Sequence, residues 1–224
     1  KRVPNLAKKA TQGDKEAKAA ASVLGQALDL LRDGKPARLT QPKDEDERRQ
    51  FEQAQLITAK PVLYVCNVDE GSAAAGNALS ARVFEKAAAE GAKAVVVSAA
   101  IEAEIVTLPP EDRAEFLAEL GLNETGLARV IRAGYELLRL LTFFTVGPKE
   151  ARAWTVETGS KAPQAAGAIH SDFERGFIRA ETIAFDDYVA FKGEAGARDA
   201  GKLRSEGKEY VVKDGDVMLF RFNV

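Results

Sequence analysis

The sequence predicts an α/β fold, in which a parallel sheet is preceded by a helical hairpin and followed by a smaller α+β unit. Three observations predict it. Short, wholly apolar runs, VLYVC (62–66) and AVVVSA (94–99), alternate with helical segments, the pattern of strands buried on both faces. Ahead of them, Ala17, Ala20, Leu24, Ala27 and Leu31 repeat with alternating spacings of three and four, as in the seam of a coiled coil. Behind them, TFFTV (142–146) and ARAWTV (151–156) flank Gly147-Pro148-Lys149-Glu150, a hairpin signal.

The elements follow in order. Residues 1–59 read as a helical hairpin with its tip at Gly13, where Asp14 is suited to cap the helix carrying the seam. Gly34 and Pro36 stop that helix, and the acidic run Asp44–Glu47 favours the start of another. A plain helical bundle is the alternative reading of this region. Residues 60–139 alternate strand and helix: VLYVC, an alanine-rich helix at 74–90, AVVVSA, then helices through Arg139, interrupted at Pro109-Pro110. Residues 140–224 read as the first hairpin, a short helix at 165–173, the strand IRAETIA (178–184) and a loop rich in Gly, Lys and Arg. EYVVK (209–213) and DVMLFRFNV (216–224) then read as closing strands, turned at Asp214-Gly215. Together these make a β-grasp type of unit.

Composition bounds the function. The 224 residues, 46% hydrophobic and 29% charged, are ordinary globular material with enough length for one or two domains. With 32 basic against 34 acidic residues the formal charge is −2, so nucleic-acid contact requires a local basic patch. The single cysteine, Cys66, excludes an internal disulfide, and its apolar strand marks it as a structural thiol rather than a nucleophile. No apolar run approaches the ~20 residues that span a bilayer, so no membrane partner is expected and the cytoplasm is the expected location. A monomer is expected, although the seam around Leu24 and Leu31 could pair within the hairpin or between chains. The first residue is Lys1 rather than Met, and the sequence reads as the later part of a larger protein.

The chemistry centres on Asn67-Val68-Asp69-Glu70, which follows the first strand where P-loop GTPases carry the base-reading NKxD. The amide of such a loop orders it, and the carboxylate three residues on accepts hydrogen bonds from ring-edge donors of the base. A guanine-fitted aspartate facing adenine would be left unpaired, which costs several kcal/mol by order of magnitude, about 3–5. Here the carboxylate belongs to Glu70, one methylene longer, and Val68 replaces the usual lysine; both changes argue against guanine. A strand followed by a polar turn is the plain structural alternative. Ser98-Ala99, after the second strand, matches the short element that closes a base pocket.

Other motifs weigh differently. Gly196-Ala197-Arg198-Asp199-Ala200-Gly201-Lys202 has the GxxxxGK spacing, but Leu203 stands where a hydroxyl would hold Mg²⁺, and the motif follows the base-reading strand instead of preceding it. It reads as a basic solvent loop. Lys192, Arg198, Lys202, Arg204 and Lys208 could touch rRNA phosphates, or form a solvated face with the interleaved Glu194, Asp199 and Glu206. His170, the only histidine, has no nearby nucleophile and reads as satisfied or partner-facing. Trp154 reads as core, with a base-stacking platform as the alternative.

Across essentially its whole length the sequence resembles the YchF family of Obg-like ATPases, P-loop NTPases of the translation-factor type. The stretches KKATQGDKEAK, KPVLYVCNVDE, GLARVIRAGYELL, KEARAWTVETGSKAPQAAGAIHSDFERGFIRAETI and EYVVKDGDVMLFRFNV carry the resemblance, the block from Lys149 to Ile183 most specifically. It implies a coiled-coil hairpin inserted in a partial G domain, followed by a TGS domain. It implies ATP preferred over GTP through Asn67 and Glu70, with the backbone at Val68 facing the base, Ser98 and Ala99 closing the pocket, and Mg²⁺ held elsewhere in the parent protein. It also implies nucleotide-dependent association with ribosomes or RNA. The 224 residues hold no phosphate-binding loop, no metal ligand and no catalytic residue of the family, so the chain alone is expected not to hydrolyse nucleotide. The alternative is a nucleotide-independent module that binds RNA or ribosomes through the hairpin and the last domain.

Overall fold

The computed structural model describes residues 2–223 and divides between Leu137 and Leu138 into two compact units. Residues 1–59 and the strands and helices that follow them to Leu137 fall within the first unit.

In the first unit, α1 (Arg2–Thr11) and α2 (Lys15–Arg32) are joined through Gly13, whose φ of +91° is the left-handed conformation glycine tolerates. Asp14 caps α2 by accepting from the Ala17 amide at 3.0 Å. Ala17, Ala20, Val23, Leu24 and Ala27 form the buried stripe of α2, whereas Leu31 is 40% exposed and lies past its end. The helix α3 (Glu45–Gln53) starts in the acidic run, with Asp44 accepting from the Glu47 amide at 2.8 Å.

Next come β1 (Leu63–Asn67), α4 (Ala78–Ala89), β2 (Lys93–Val97), α5 (Ala99–Thr107), α6 (Arg113–Glu119) and α7 (Gly126–Leu137). The helix α4 is shorter than the 74–90 the sequence suggests, because Asn77 caps it: its Oδ1 accepts from the amides of Leu79 and Ser80, each at 3.0 Å. β1 and β2 pair in parallel, from Leu63 opposite Lys93 to Asn67 opposite Val97. A small core of Ala73, Ile101, Ile105, Leu117 and Leu122 lies beside them.

The second unit is built on a five-stranded mixed sheet. Its elements are β3 (Leu140–Val146), β4 (Ala151–Glu157), α8 (Ala162–Ile169), α9 (Ser171–Arg175), β5 (Phe177–Ala184), α10 (Phe185–Ala190), α11 (Glu194–Asp199), β6 (Arg204–Glu206) and β7 (Asp216–Phe222). The strand order is β4-β3-β7-β5-β6, with β7 parallel to β3 and antiparallel to β5. Phe143, Phe177, Met218 and Phe220 centre the core beneath α8, whose Ala162, Ala165 and Ala166 are fully buried.

Three expectations for this unit need correction. EYVVK is not a strand: residues 209–213 form an irregular connection with one bridge, Lys161 to Val211. Its strand propensity is overridden because Tyr210 and Lys213 both donate to the buried Asp216 carboxylate, at 2.7 and 2.9 Å, and fold the segment over the start of β7. Consequently Asp214-Gly215 turns no hairpin. Asp214 Oδ1 accepts from the Thr142 amide and the Gly215 amide donates to the Thr142 carbonyl, both at 2.8 Å, which hands the chain to β3. The presumed loop after residue 184 is mostly helical, in α10 and α11.

Candidate functional site: the loop after β1

β1 ends on Asn67, and the chain then turns through Val68 and Asp69 into a single 3₁₀ turn, Glu70–Ser72. Asn67 Oδ1 accepts from the Ala99 amide at 2.9 Å. That bond spans the ends of both parallel strands and fixes the loop against the first turn of α5. The Val68 amide is committed to the Val97 carbonyl at 2.9 Å, which leaves the Val68 carbonyl as its free backbone group. Ser98 is 2% exposed, and its Oγ is buried without a partner. Glu70 is exposed; its carbonyl accepts from the Ala73 amide at 3.2 Å, while its carboxylate makes no hydrogen bond or ion pair among the described residues. The arrangement gathers four of the five expected residues, Asn67, Val68, Ser98 and Ala99, around one bond at the carboxyl ends of two parallel strands. Glu70 stands at the open end of the same loop.

Chemically this is a rim with one carbonyl acceptor, one free carboxylate and one orphaned hydroxyl, which fits a planar ligand that presents ring-edge donors. Among the described residues, no group of three or more His, Cys, Asp or Glu could hold a metal ion.

Two residues that hold this region were not singled out in the sequence. Glu102, in α5, caps the first turn of α7, accepting from the amides of Gly126 at 2.5 Å and Leu127 at 3.2 Å. A side chain at Gly126 would crowd Val97 and Glu102, within about 3.0–3.2 Å, so glycine is what lets α7 reach the end of β2. Arg129 donates from Nη1 to the Ala73 carbonyl at 3.2 Å. The partners are 24 and 56 residues apart in sequence, so no local pattern announces them.

The basic stretch is largely neutralised. Arg198 pairs with Glu194 at 2.5 Å, Lys202 with Asp187 at 3.2 Å, and Arg204 with Glu206 at 3.0 Å and with Asp216 at 3.6 Å. Lys192 and Lys208 alone make no ion pair among the described residues. The GxxxxGK segment is α11 and its C-terminal turn, not a basic solvent loop. A side chain on Gly196 would meet the Phe191 carbonyl at 2.0 Å, so this glycine serves backbone packing. His170 is the junction of α8 and α9, where its Nδ1 accepts from the Asp172 amide at 3.2 Å. Trp154 packs on the core, donates from Nε1 to Thr145 at 2.9 Å and lies under the Arg152 guanidinium.

Comparison with known proteins places this geometry. The family model YchF-GTPase_C, described as a protein of unknown function (DUF933), matches residues 140–223. The ribosome-binding ATPase YchF of Escherichia coli O157:H7 is 51% identical over 222 residues, 99% of this chain and 61% of that protein. That of Bacillus subtilis (strain 168) is 50% identical over 226 residues, 100% of this chain and 62% of the relative. The structure of the Schizosaccharomyces pombe YchF GTPase superposes with a TM-score of 0.77 at 30% identity, covering 92% of this chain and 55% of that one. The chain therefore spans about three-fifths of the length of the curated relatives, 61–62%. About half of the residues are identical in the two curated relatives, over matches that cover nearly the whole chain and so take in both units, and the chain belongs to the YchF family.

Proposed function

We propose that this chain supplies the base-reading pocket and the ribosome-contacting parts of an ATP-preferring nucleoside-triphosphate hydrolase of the cytoplasm. The observation that carries the reading is the Asn67–Ala99 bond, which builds the ordered loop a base pocket needs at the end of two parallel strands. The Val68 carbonyl is suited to accept a hydrogen bond from the 6-amino group of adenine, while Glu70 and the unpartnered Ser98 hydroxyl complete the rim. ATP, bound with Mg²⁺, supplies the transferable phosphoryl group. In this reading the chain's own residues orient the base and do no chemistry, so phosphate and metal contacts come from residues outside these 224.

The mixed sheet with α8 crossing it fits a TGS-type β-grasp, and α1 with α2 fits the coiled-coil hairpin; both serve as contact surfaces for ribosomal RNA. The relatives' printed name, ribosome-binding ATPase, supports that partner.

In a full-length family member carrying these residues, Asn67→Ala should weaken ATP about tenfold, the effect of one charge-free hydrogen bond and the loop order it maintains. Unchanged ATP affinity would sink the base-reading assignment. A second reading, a nucleotide-independent ribosome or RNA module, is favoured by the two unpaired lysines, 192 and 208. Co-sedimentation of the 224-residue chain with ribosomes at low and moderate salt, without nucleotide, separates the two. Salt-sensitive pelleting supports the module, and no pelleting places recognition under control of bound ATP.

A further inference from the structure

Among the described residues, no strand pairs with the edge of β2 that faces away from β1. In a parallel ladder the N–H and C=O of one residue point to the same side, alternating along the strand. The Lys93 amide donates to the Val62 carbonyl at 3.0 Å and the Val97 carbonyl accepts from the Val68 amide at 2.9 Å, so residues 93, 95 and 97 face β1. Ala94 and Val96 therefore turn their N–H and C=O outward. The sheet ends there, and neither residue makes another backbone hydrogen bond among the described residues.

Beside this edge lies a groove of about 750 Å³, with Phe84 of α4 on one wall and Arg129 and Arg132 of α7 on the other. Phe84 is 42% exposed and presents an apolar surface there. Of the charged groups lining the groove, Lys93, Arg129 and Arg132 are cations and Glu136 is the one carboxylate. Lys93 pairs with Glu136 at 2.5 Å and Arg132 with Glu124 at 2.6 Å. Among the described residues Arg129 has no carboxylate partner: Nη1 donates to the Ala73 carbonyl, and Nε is buried with no partner. An unsatisfied buried guanidinium N–H beside open backbone groups is a demand for an acceptor, and a carboxylate answers both the hydrogen bond and the charge.

We propose that the outer edge of β2 takes an extended acidic segment of a partner protein as an added strand, its backbone pairing with Ala94 and Val96 and a carboxylate meeting Arg129. A row of alternating donors and acceptors at strand spacing matches another peptide backbone and not the face of a nucleotide. Self-pairing of two β2 edges is disfavoured, because it would set Lys93, Arg129 and Arg132 against the same cations of the second copy. This site stands apart from the base-reading loop and does not depend on it.

The test uses the whole 224-residue chain and a fluorescein-labelled octapeptide alternating valine and glutamate, with a valine–lysine octapeptide as control. Binding of the acidic peptide should slow amide hydrogen exchange at Ala94 and Val96 while leaving Lys93, Val95 and Val97, already bonded to β1, unchanged. Val96→Pro deletes one outward N–H, a change that edge strands tolerate, and should weaken the acidic peptide at least about tenfold. Arg129→Gln should weaken it by roughly tenfold as well and is read on its own if the proline variant does not fold. Equal binding of the lysine peptide, or unchanged exchange at Ala94 and Val96 with the acidic peptide in excess, overturns the proposal. Concentration-dependent protection of those amides without peptide also overturns it, in favour of pairing between copies.

Discussion

The two units solve the same problem, covering a sheet, with different completeness. In residues 138–224 five strands enclose eleven buried residues in one cluster, and even its largest buried side chain, Phe143, is fully covered. In residues 1–137 two strands serve a cluster of five, and Val65 in the middle of β1 remains 51% exposed. A parallel strand of apolar residues is normally buried on both faces, and β1 is not, so the first unit is the less completely covered of the two. The difference shows which unit closes its own core. The second unit holds its own core, and the first offers loop ends and open edges.

The sharpest way to break that comparison is Phe143→Ala. Removing a fully buried phenylalanine should cost about 3–5 kcal/mol. Trp154, the only tryptophan, is its cross-strand partner and reports on the second unit alone. Its fluorescence midpoint in denaturant should fall while the helical signal of residues 2–137 keeps its own midpoint. If both fall together, the units unfold as one and the contrast is wrong. Next in size is Glu102→Ala, which strips the cap from α7 and should cost about 1–2 kcal/mol. Its signature is the reverse: helical circular dichroism weakens at lower denaturant, and Trp154 does not respond.

These predictions also show what was legible in the sequence. VLYVC and AVVVSA give themselves away by being apolar throughout, and Asp14 and Asp44 by standing before helices whose first amides need acceptors. Asn67 and Glu70 were legible as a loop motif, but the bond from Asn67 to Ala99 joins residues 32 apart and exists only once the strands pair. Glu102 carries no motif at all, since any helical glutamate looks the same until α7 arrives. EYVVK misled for the opposite reason. Its local signal was correct for a strand, and the buried Asp216 carboxylate outweighed it. The short helices α10 and α11, six residues each, are too brief for a periodic pattern to emerge.

Tyr210 tests that Asp216 knot. Burial first, then the hydrogen bond to Asp216, pushes its phenol up from 10.0 to about 12. A pKa raised in the folded state means stability that is fully present below pH ~10 and is lost as the phenol ionises towards pH 12. Tyr210→Phe should therefore cost about 1 kcal/mol at neutral pH. The gap to the unmodified chain should close between pH 10 and about 12, read from the Trp154 midpoint. A gap that persists unchanged to pH 12 would mean that the hydroxyl does not hold the connection down.

The smallest effect is expected at the charged rim of the second unit, and it separates structure from recognition. Arg198 is 57% exposed and pairs with Glu194 one helical turn away, so Arg198→Ala should change stability by no more than about 0.5 kcal/mol. Lys192→Glu and Lys208→Glu should be as silent in denaturant, because neither lysine holds a carboxylate among the described residues. Their ribosome pelleting at low salt is where they should differ from Arg198→Ala. Free cations can release counterions from RNA phosphates, whereas a cation already neutralised by Glu194 has less to offer. If all three variants pellet like the unmodified chain, the rim is a solvated face, and recognition belongs to the helical hairpin or to the open edges of the first unit.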